Sequence, residues 1–345
     1  MTDKVGFGRA VTIVMWLAAV LSTSLPGASG QQPVGTVPLT PPPAPLVVDG
    51  VEVLPVQGQV YMLVGTGGNV AVQIGEEGIL VVDSGAAGQT GKLLAALRRL
   101  TPKPIRFLIN TNPDPDHVAG NSGLVQEEGG LRGPRPAGVG GANPQGQNLG
   151  IVTIAHENAV NHMVKGAAGL PPLTGDALPA STFFTPRKDF FSNGEPVQLL
   201  FQPAAHTDGD ILVFFRKSDV VVTGDVFVTT NYPVFDPARG GSIQGIIDGL
   251  NNILDLTVPE RNQMGGTRVI PGHGRICNEA DVLEYRDMVT IIRDRVQAMV
   301  TKGMTLPQIQ AARVSLEYDG IYGGTTEGWT TAKFIEAIYK DLIKQ

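Results

Sequence analysis

From residue 51 to 83 the chain passes through four short segments dense in valine, isoleucine and leucine: VEVLPV, VYMLV, NVAVQI and GILVVD. They are separated by glycine or polar turn residues such as GTGG at 65–68. Segments this short and this rich in β-branched side chains are strands, and the glycine breaks fold consecutive strands against one another. A sheet meander is therefore the starting unit. Between 196 and 225 the pattern returns in PVQLLFQPAAH, DILVFFRK and DVVVTGD, and TRVIPGHG at 267–274 adds one more strand. The second half echoes the first.

Helical periodicity fills the spaces between. TGKLLAALRRL places Leu93, Leu94, Leu97 and Leu100 on one face, and IRFLIN then reads as a buried strand. IVTIAH reads as a strand and ENAVNHMVK as a helix. Residues 279–302 carry Val282, Tyr285, Val289, Ile292, Val296 and Met299 at helical spacing and stop at Gly303, and a last helix holds Phe334, Ile338 and Leu342. The glycine- and proline-rich segments 126–150 and 166–186 are expected as loops, either a lid over a site or excursions from the fold.

The first thirty residues have a basic start at Lys4 and Arg9, an apolar run, and a small-residue exit at Ala28, Ser29 and Gly30. That is the layout of an export signal, with periplasmic or secreted localisation expected and no membrane span in the mature chain. QQPVGTVPLTPPPAPL at 31–46 is an extended linker, and one folded domain is expected from 47 to 345. The formal net charge is −6, one unit more negative without Asp3, Lys4 and Arg9, which argues against nucleic acid as a partner. The lone Cys277 allows no internal disulfide and is expected to be packed rather than nucleophilic. Oligomeric state has no signature in the sequence.

Residues that can converge on a metal cluster just past the strands: NPDPDH at 112–117, His206 in AAHTDGD, Asp225 in TGDVF and His273 in PGHG. Three of the five histidines fall there; His156 and His162 are expected to be structural. These motifs resemble the metallo-β-lactamase fold superfamily of metal-dependent hydrolases, over the chain from about residue 47 onward. The resemblance implies a four-layer αβ/βα sandwich, mixed sheets face to face with helices outside. The family pattern HxHxDH, His, Asp, His falls on Asn112, Asp114, Asp116 with His117, then His206, Asp225 and His273. Asp83, Thr207 and Asp210 match positions that support the ligands.

Two slots depart from the pattern, because Asn112 and Asp114 stand where the family has histidines. The resemblance implies an intact second site of Asp116, His117 and His273 with Asp225 shared. It leaves an altered first site of His206, Asp225, Asp114 and the carbonyl of Asn112. One or two divalent ions follow, zinc first, with manganese or iron brought in by the harder carboxylate at Asp114. A β-lactamase subclass with Asn in the first slot works with one zinc, and flavodiiron proteins with a carboxylate in the second slot bind iron.

The implied activity is hydrolysis of a small ester, lactone, thioester or lactam, β-lactams included, by a metal-held hydroxide that Asp116 orients. The alternatives are a non-catalytic binding or scaffold descendant and an iron-dependent oxidoreductase. GTGG is expected to form the hairpin over the site, with Tyr232 or Phe235 facing substrate or packed in the core.

Overall fold

The computed structural model describes residues 46–130, 150–166, 171–324 and 328–344. The expected export signal and nearly all of the linker lie outside these residues, as does most of the 126–150 segment. One sheet has the spatial order β1 (Leu46–Val48), β2 (Val51–Gln57), β3 (Val60–Val64), β4 (Val70–Ile74), β5 (Ile79–Val82), β6 (Ile105–Ile109), β7 (Val152–His156) and β8 (Ser181–Phe183). It is antiparallel through β5 and parallel from β5 to β8. The other sheet comprises β9 (Arg187–Ser192), β10 (Glu195–Gln202), β11 (Asp210–Phe215), β12 (Val220–Val222) and β13 (Arg268–Ile270), with only the β12–β13 pair parallel. The helices are α1 (Thr90–Leu100), α2 (Pro115–Val118), α3 (Asn121–Glu127), α4 (Glu157–Lys165), α5 (Ile243–Leu256), α6 (Glu279–Thr301), α7 (Leu306–Ala311), α8 (Asp319–Tyr322) and α9 (Thr331–Leu342).

The period-two geometry of a strand explains the layers. Ile211, Val213 and Phe215 of β11 face the first sheet and join Met62, Leu80, Val82 and Ile109 in one apolar cluster. Leu212 and Phe214 point the other way, into a cluster with α5, α6 and α9. The outer face of the first sheet packs Val70, Val72 and Val81 on Leu93 and Leu97 of α1 and Leu124 of α3. The result is the expected sandwich of helix, sheet, sheet and helix. Both faces of the inner strands are covered, so they read as continuous hydrophobic runs rather than alternating ones.

Tight turns set the hairpin registers. Asp49-Gly50 between β1 and β2 and Asn193-Gly194 between β9 and β10 each hold two consecutive residues at positive φ, with values of 50°, 83°, 51° and 77°. That is the mirror-image turn whose twist matches paired strands. Beside the second turn, buried Glu195 accepts from Gln73 of the first sheet at 2.7 Å and from the Ser218 hydroxyl at 2.7 Å, so a buried carboxylate is fully partnered across the two sheets.

Several expectations are corrected. Gln126 and Glu127, read as loop, are the last residues of α3, and the 166–186 segment contains a 3₁₀ turn at 175–177 and strand β8. Helix α5 and strand β9 are additions to the sequence reading. Cys277 is buried, pairs through its backbone with Val269, and burial pushes its thiol up to about 12. Among the described residues no helix is long and apolar enough to cross a membrane.

Candidate metal centre

The segments leaving β5, β6, β10, β12 and β13 meet at one edge of the sandwich. Asp83, just past β5, adopts φ 66°, a left-handed conformation unusual for a residue with a side chain. Its carboxylate accepts the Thr111 backbone N–H at 2.7 Å, the Thr111 hydroxyl at 2.7 Å and His117 Nδ1 at 2.8 Å. The strained residue thereby fixes the start of the 111–117 loop and the ring of its histidine. Pro115 opens the short helix α2, which turns Asp116 and His117 to one side.

Asp116, His117 and His273 form a first group whose ligand-type atoms lie within 4.8 Å of one another. His273 Nε2 is 3.1 Å from Asp116 Oδ2 and 3.6 Å from Asp225 Oδ1, and His117 Nε2 is 3.2 Å from Asp225 Oδ2. Asp114, His206 and Asp225 form a second group under the same limit. His206 Nε2 sits 3.0 Å from Asp114 Oδ2 and 3.9 Å from Asp225 Oδ2, so Asp225 lies between the groups. His206 donates from Nδ1 to the Val234 carbonyl at 2.8 Å; a carbonyl only accepts, so Nε2 is the atom left for a ligand. Asp210 accepts from the Thr207 N–H at 2.7 Å and the Thr207 hydroxyl at 2.8 Å, bracing the loop that carries His206.

Close approach requires glycine at two points. A Cβ on Gly272 would fall 2.1 Å from Asp225 Oδ1, and one on Gly68 would fall 2.7 Å from the His117 ring. GTGG, the β3–β4 connection, packs against the site as expected: Gly68 N–H donates to the Asp116 carbonyl and Asn69 N–H to that of Gly272, at 3.2 and 2.7 Å. Of the two readings open for Tyr232 and Phe235, core packing holds and the substrate-facing one is corrected. Both are core residues, with Tyr232 stacked on Phe334 at 4.6 Å and its hydroxyl donating to Asp319 at 2.8 Å. His156 stacks on Phe201 and His162 pairs with Asp208, away from both groups.

Asn112 does not offer its oxygen to the centre as the sequence suggests. That oxygen accepts the Asp114 backbone N–H at 2.8 Å, and the amide nitrogen points to Asp225 Oδ2 at 3.3 Å. The residue sequence reasoning missed is Arg239. Its guanidinium donates to Asp114 Oδ1 and, from Nε, to Asp236 Oδ2 at 2.7 Å. The available signal was one arginine between small residues in FDPARGG, beyond Asp225.

Charge dominates the electrostatics. Burial alone would raise the carboxyl pKa of Asp225 and Asp114, yet His117, His273 and His206 outweigh it for Asp225, and His206 with Arg239 for Asp114; both lie well below the usual carboxylate range. Burial alone would lower His206, but Asp114 and Asp225 drive it up to about 10. His117 is likewise held well above the usual histidine range by Asp225 and Asp83 against burial. Asp210 is raised to about 6 by burial, with His206 and Thr207 opposing.

A cation fits the first group. His117 Nε2 and Asp225 Oδ1 are both buried without a hydrogen-bond partner, and unpartnered buried polar atoms are costly unless something binds them. Two imidazoles and two carboxylates are a donor set that suits zinc, iron or manganese.

A sequence model described as the metallo-beta-lactamase superfamily matches residues 63–273. A curated linear primary-alkylsulfatase of Pseudomonas sp. (strain ATCC 19151) is 25% identical over 248 residues, which are 66% of this chain and 46% of the relative. The chain thus spans less than half the length of that protein. Among solved structures, the stereoselective inverting sec-alkylsulfatase Pisa1 from Pseudomonas sp. superposes with a TM-score of 0.59 at 17% identity, over 84% of this chain and 49% of that one. A metallo-beta-lactamase from Pontibacter korlensis gives 0.52 at 13% identity, over 70% of this chain and 99% of that one. These two likenesses show a shared fold.

Proposed function

The chain belongs to the metallo-β-lactamase superfamily, and on that premise we propose that it is a metal-dependent hydrolase whose working ion is held by Asp116, His117, Asp225 and His273. One observation carries this reading: buried His117 Nε2 and Asp225 Oδ1, both without hydrogen-bond partners, converge with Asp116 and His273 at one sheet edge. Sulfate esters of alkyl alcohols rank first as substrates, because the curated relative is named for that activity. Carboxylic esters, lactones, thioesters and β-lactams come next. Export to the periplasm or the medium, from the 1–30 segment, is part of the same proposal.

A divalent cation at this site supplies Lewis-acid polarisation and an acidified water molecule at neutral pH. The protein's own residues do the rest. Asp83 keeps the His117 ring in register, and Gly272 and Gly68 keep space clear around Asp225 and His117. Asp116 stands at the rim with its side chain 35% exposed, where it orients the attacking water. Hydrolysis of a sulfate ester adds water across the ester link and releases sulfate and the alcohol.

The test is to purify the chain without chelator, determine its metal content, and follow sulfate release from a linear alkyl sulfate before and after chelation. Metal with chelator-sensitive release supports the proposal. Metal-bound protein inactive on sulfate esters but active on another ester moves the substrate class. A chain that binds none of zinc, manganese or iron is a non-catalytic member of the fold.

Metal uptake should also depend on pH with a definite sign. The metal-free protein holds His117 and His273 protonated above the usual histidine range, and a ligating imidazole must lose that proton. Binding is therefore expected to release protons, with affinity falling as pH drops through the raised pKa values of these two histidines, a span above that of a free histidine. Calorimetry in buffers of different ionisation enthalpy counts the protons; no release contradicts the assignment of these imidazoles.

A further inference from the structure

The two groups of candidate ligands differ in one respect. In the Asp116–His117–His273 group, His117 Nε2 and the shared Asp225 Oδ1 lack hydrogen-bond partners, whereas the Asp114–His206 side is closed on itself. Asp114 gives one oxygen to Arg239 and the other to His206 Nε2 at 3.0 Å. Asn112 spends its oxygen on the Asp114 backbone and turns its amide toward Asp225.

Arg239 is built into this position. Asp236 accepts from its Nε at 2.7 Å and from the Ala238 N–H at 2.8 Å, which fixes the turn on which it stands. The Arg239 carbonyl accepts the Asp208 N–H and the His206 carbonyl accepts the Asp236 N–H, each at 2.8 Å, so the turn is stitched to the His206 loop on both sides. Gly240 leaves the turn at φ 79°. The arginine side chain is only 15% exposed, and a guanidinium does not deprotonate in a protein. A divalent cation arriving at Asp114 would therefore meet a fixed positive charge already on the carboxylate it needs.

Resting on the metal-holding role assigned to Asp116, His117, Asp225 and His273, we propose that Arg239 is the resident cation of the Asp114–His206 group. Its guanidinium stands where another ion would otherwise be held, so the chain takes up one metal ion, at the other group. The added carboxylate at position 114 and the arginine are two halves of one device, each cancelling the charge of the other. Releasing Asp114 from Arg239 makes a second ion position available.

The experiment is a cobalt(II) titration of the chelator-treated chain, read by visible absorption and by elemental analysis after desalting. The wild-type protein is expected to saturate at one equivalent. Arg239→Gln should take a second, at least tenfold tighter than any second uptake by wild type, while Arg239→Lys, which keeps the charge, should stay at one. Asp114→Asn should retain the single equivalent, because the ion sits at the other group; this arm stands even if Arg239→Gln does not fold. Two tight equivalents in wild type, a folded Arg239→Gln that still stops at one, or loss of the ion in Asp114→Asn would each overturn the inference. No cobalt bound by wild type removes the proposed function as well, an outcome distinct from two equivalents, which removes only this inference.

Discussion

Replacing His273 with alanine is expected to abolish hydrolysis while the fold stands. The residue follows β13 in the PGHG turn, its side chain is 34% exposed, and its contacts are with Asp116 and Asp225, so little packing is lost. It is nevertheless one of two imidazoles in the group that the proposal assigns to the working ion. Loss of an outer partner of a metal ligand typically costs about 10–100-fold in affinity or activity, and loss of the ligand itself should exceed that. Metal content, turnover at saturating metal and a thermal melt separate the effects. Wild-type metal content and turnover would remove His273 from the site. His117→Ala is the less clean variant, because it also strips buried Asp83 of a partner.

The largest expected loss of stability is at Phe215. It is fully buried between the sheets, directly opposite Val197 of β10 and Val220 of β12. Phe215→Ala deletes a ring where two sheets face one another and no mobile helix can move in to fill the space. Truncations of this kind cost about 3–5 kcal/mol, a large fraction of the roughly 5–15 kcal/mol by which domains are stable. Urea unfolding monitored by circular dichroism measures it; a loss below about 1 kcal/mol would mean that the sheets repack more freely than close packing allows.

The inner strands were legible because a strand covered on both faces must be apolar nearly throughout, as ILVV of β5 is and as β11 is after Asp210, in ILVFF. Strand β9 was harder. Its RKDFFS alternates between exposed and half-buried positions at a sheet edge, although the Asn193-Gly194 turn after it is a strong hairpin signal. Helix α5 carries Gly245 and Gly249, which lower helix propensity; a Cβ at 245 would meet the Ala204 carbonyl oxygen at 1.7 Å, so the glycine serves a close approach to the 204–206 loop.

The same contrast holds at the centre. His117, His206, Asp225 and His273 could be picked out because each polar side chain stands among small residues at a strand end. Arg239 could not, since its meaning depends on the 236–241 turn folding back onto the His206 loop. Tyr232 and Phe235 stayed open between substrate and core for a different reason. Proximity to Asp225 along the chain does not determine which way a side chain points, and burial of two rings outweighed exposure.

Asp116 precedes β7 and His273 follows β13, so the groups around Asp225 draw on both halves of the chain and on both sheets. Neither half contains enough of the centre to recognise an ion, and closing such long loops is the slow part of building a nonlocal fold. The centre is therefore expected to form last, with an ion binding only once the sandwich that carries both halves of its ligand set has closed. During refolding in the presence of cobalt, the colour of the bound ion would act as a clock for the final docking step, trailing the β-sheet signal in circular dichroism.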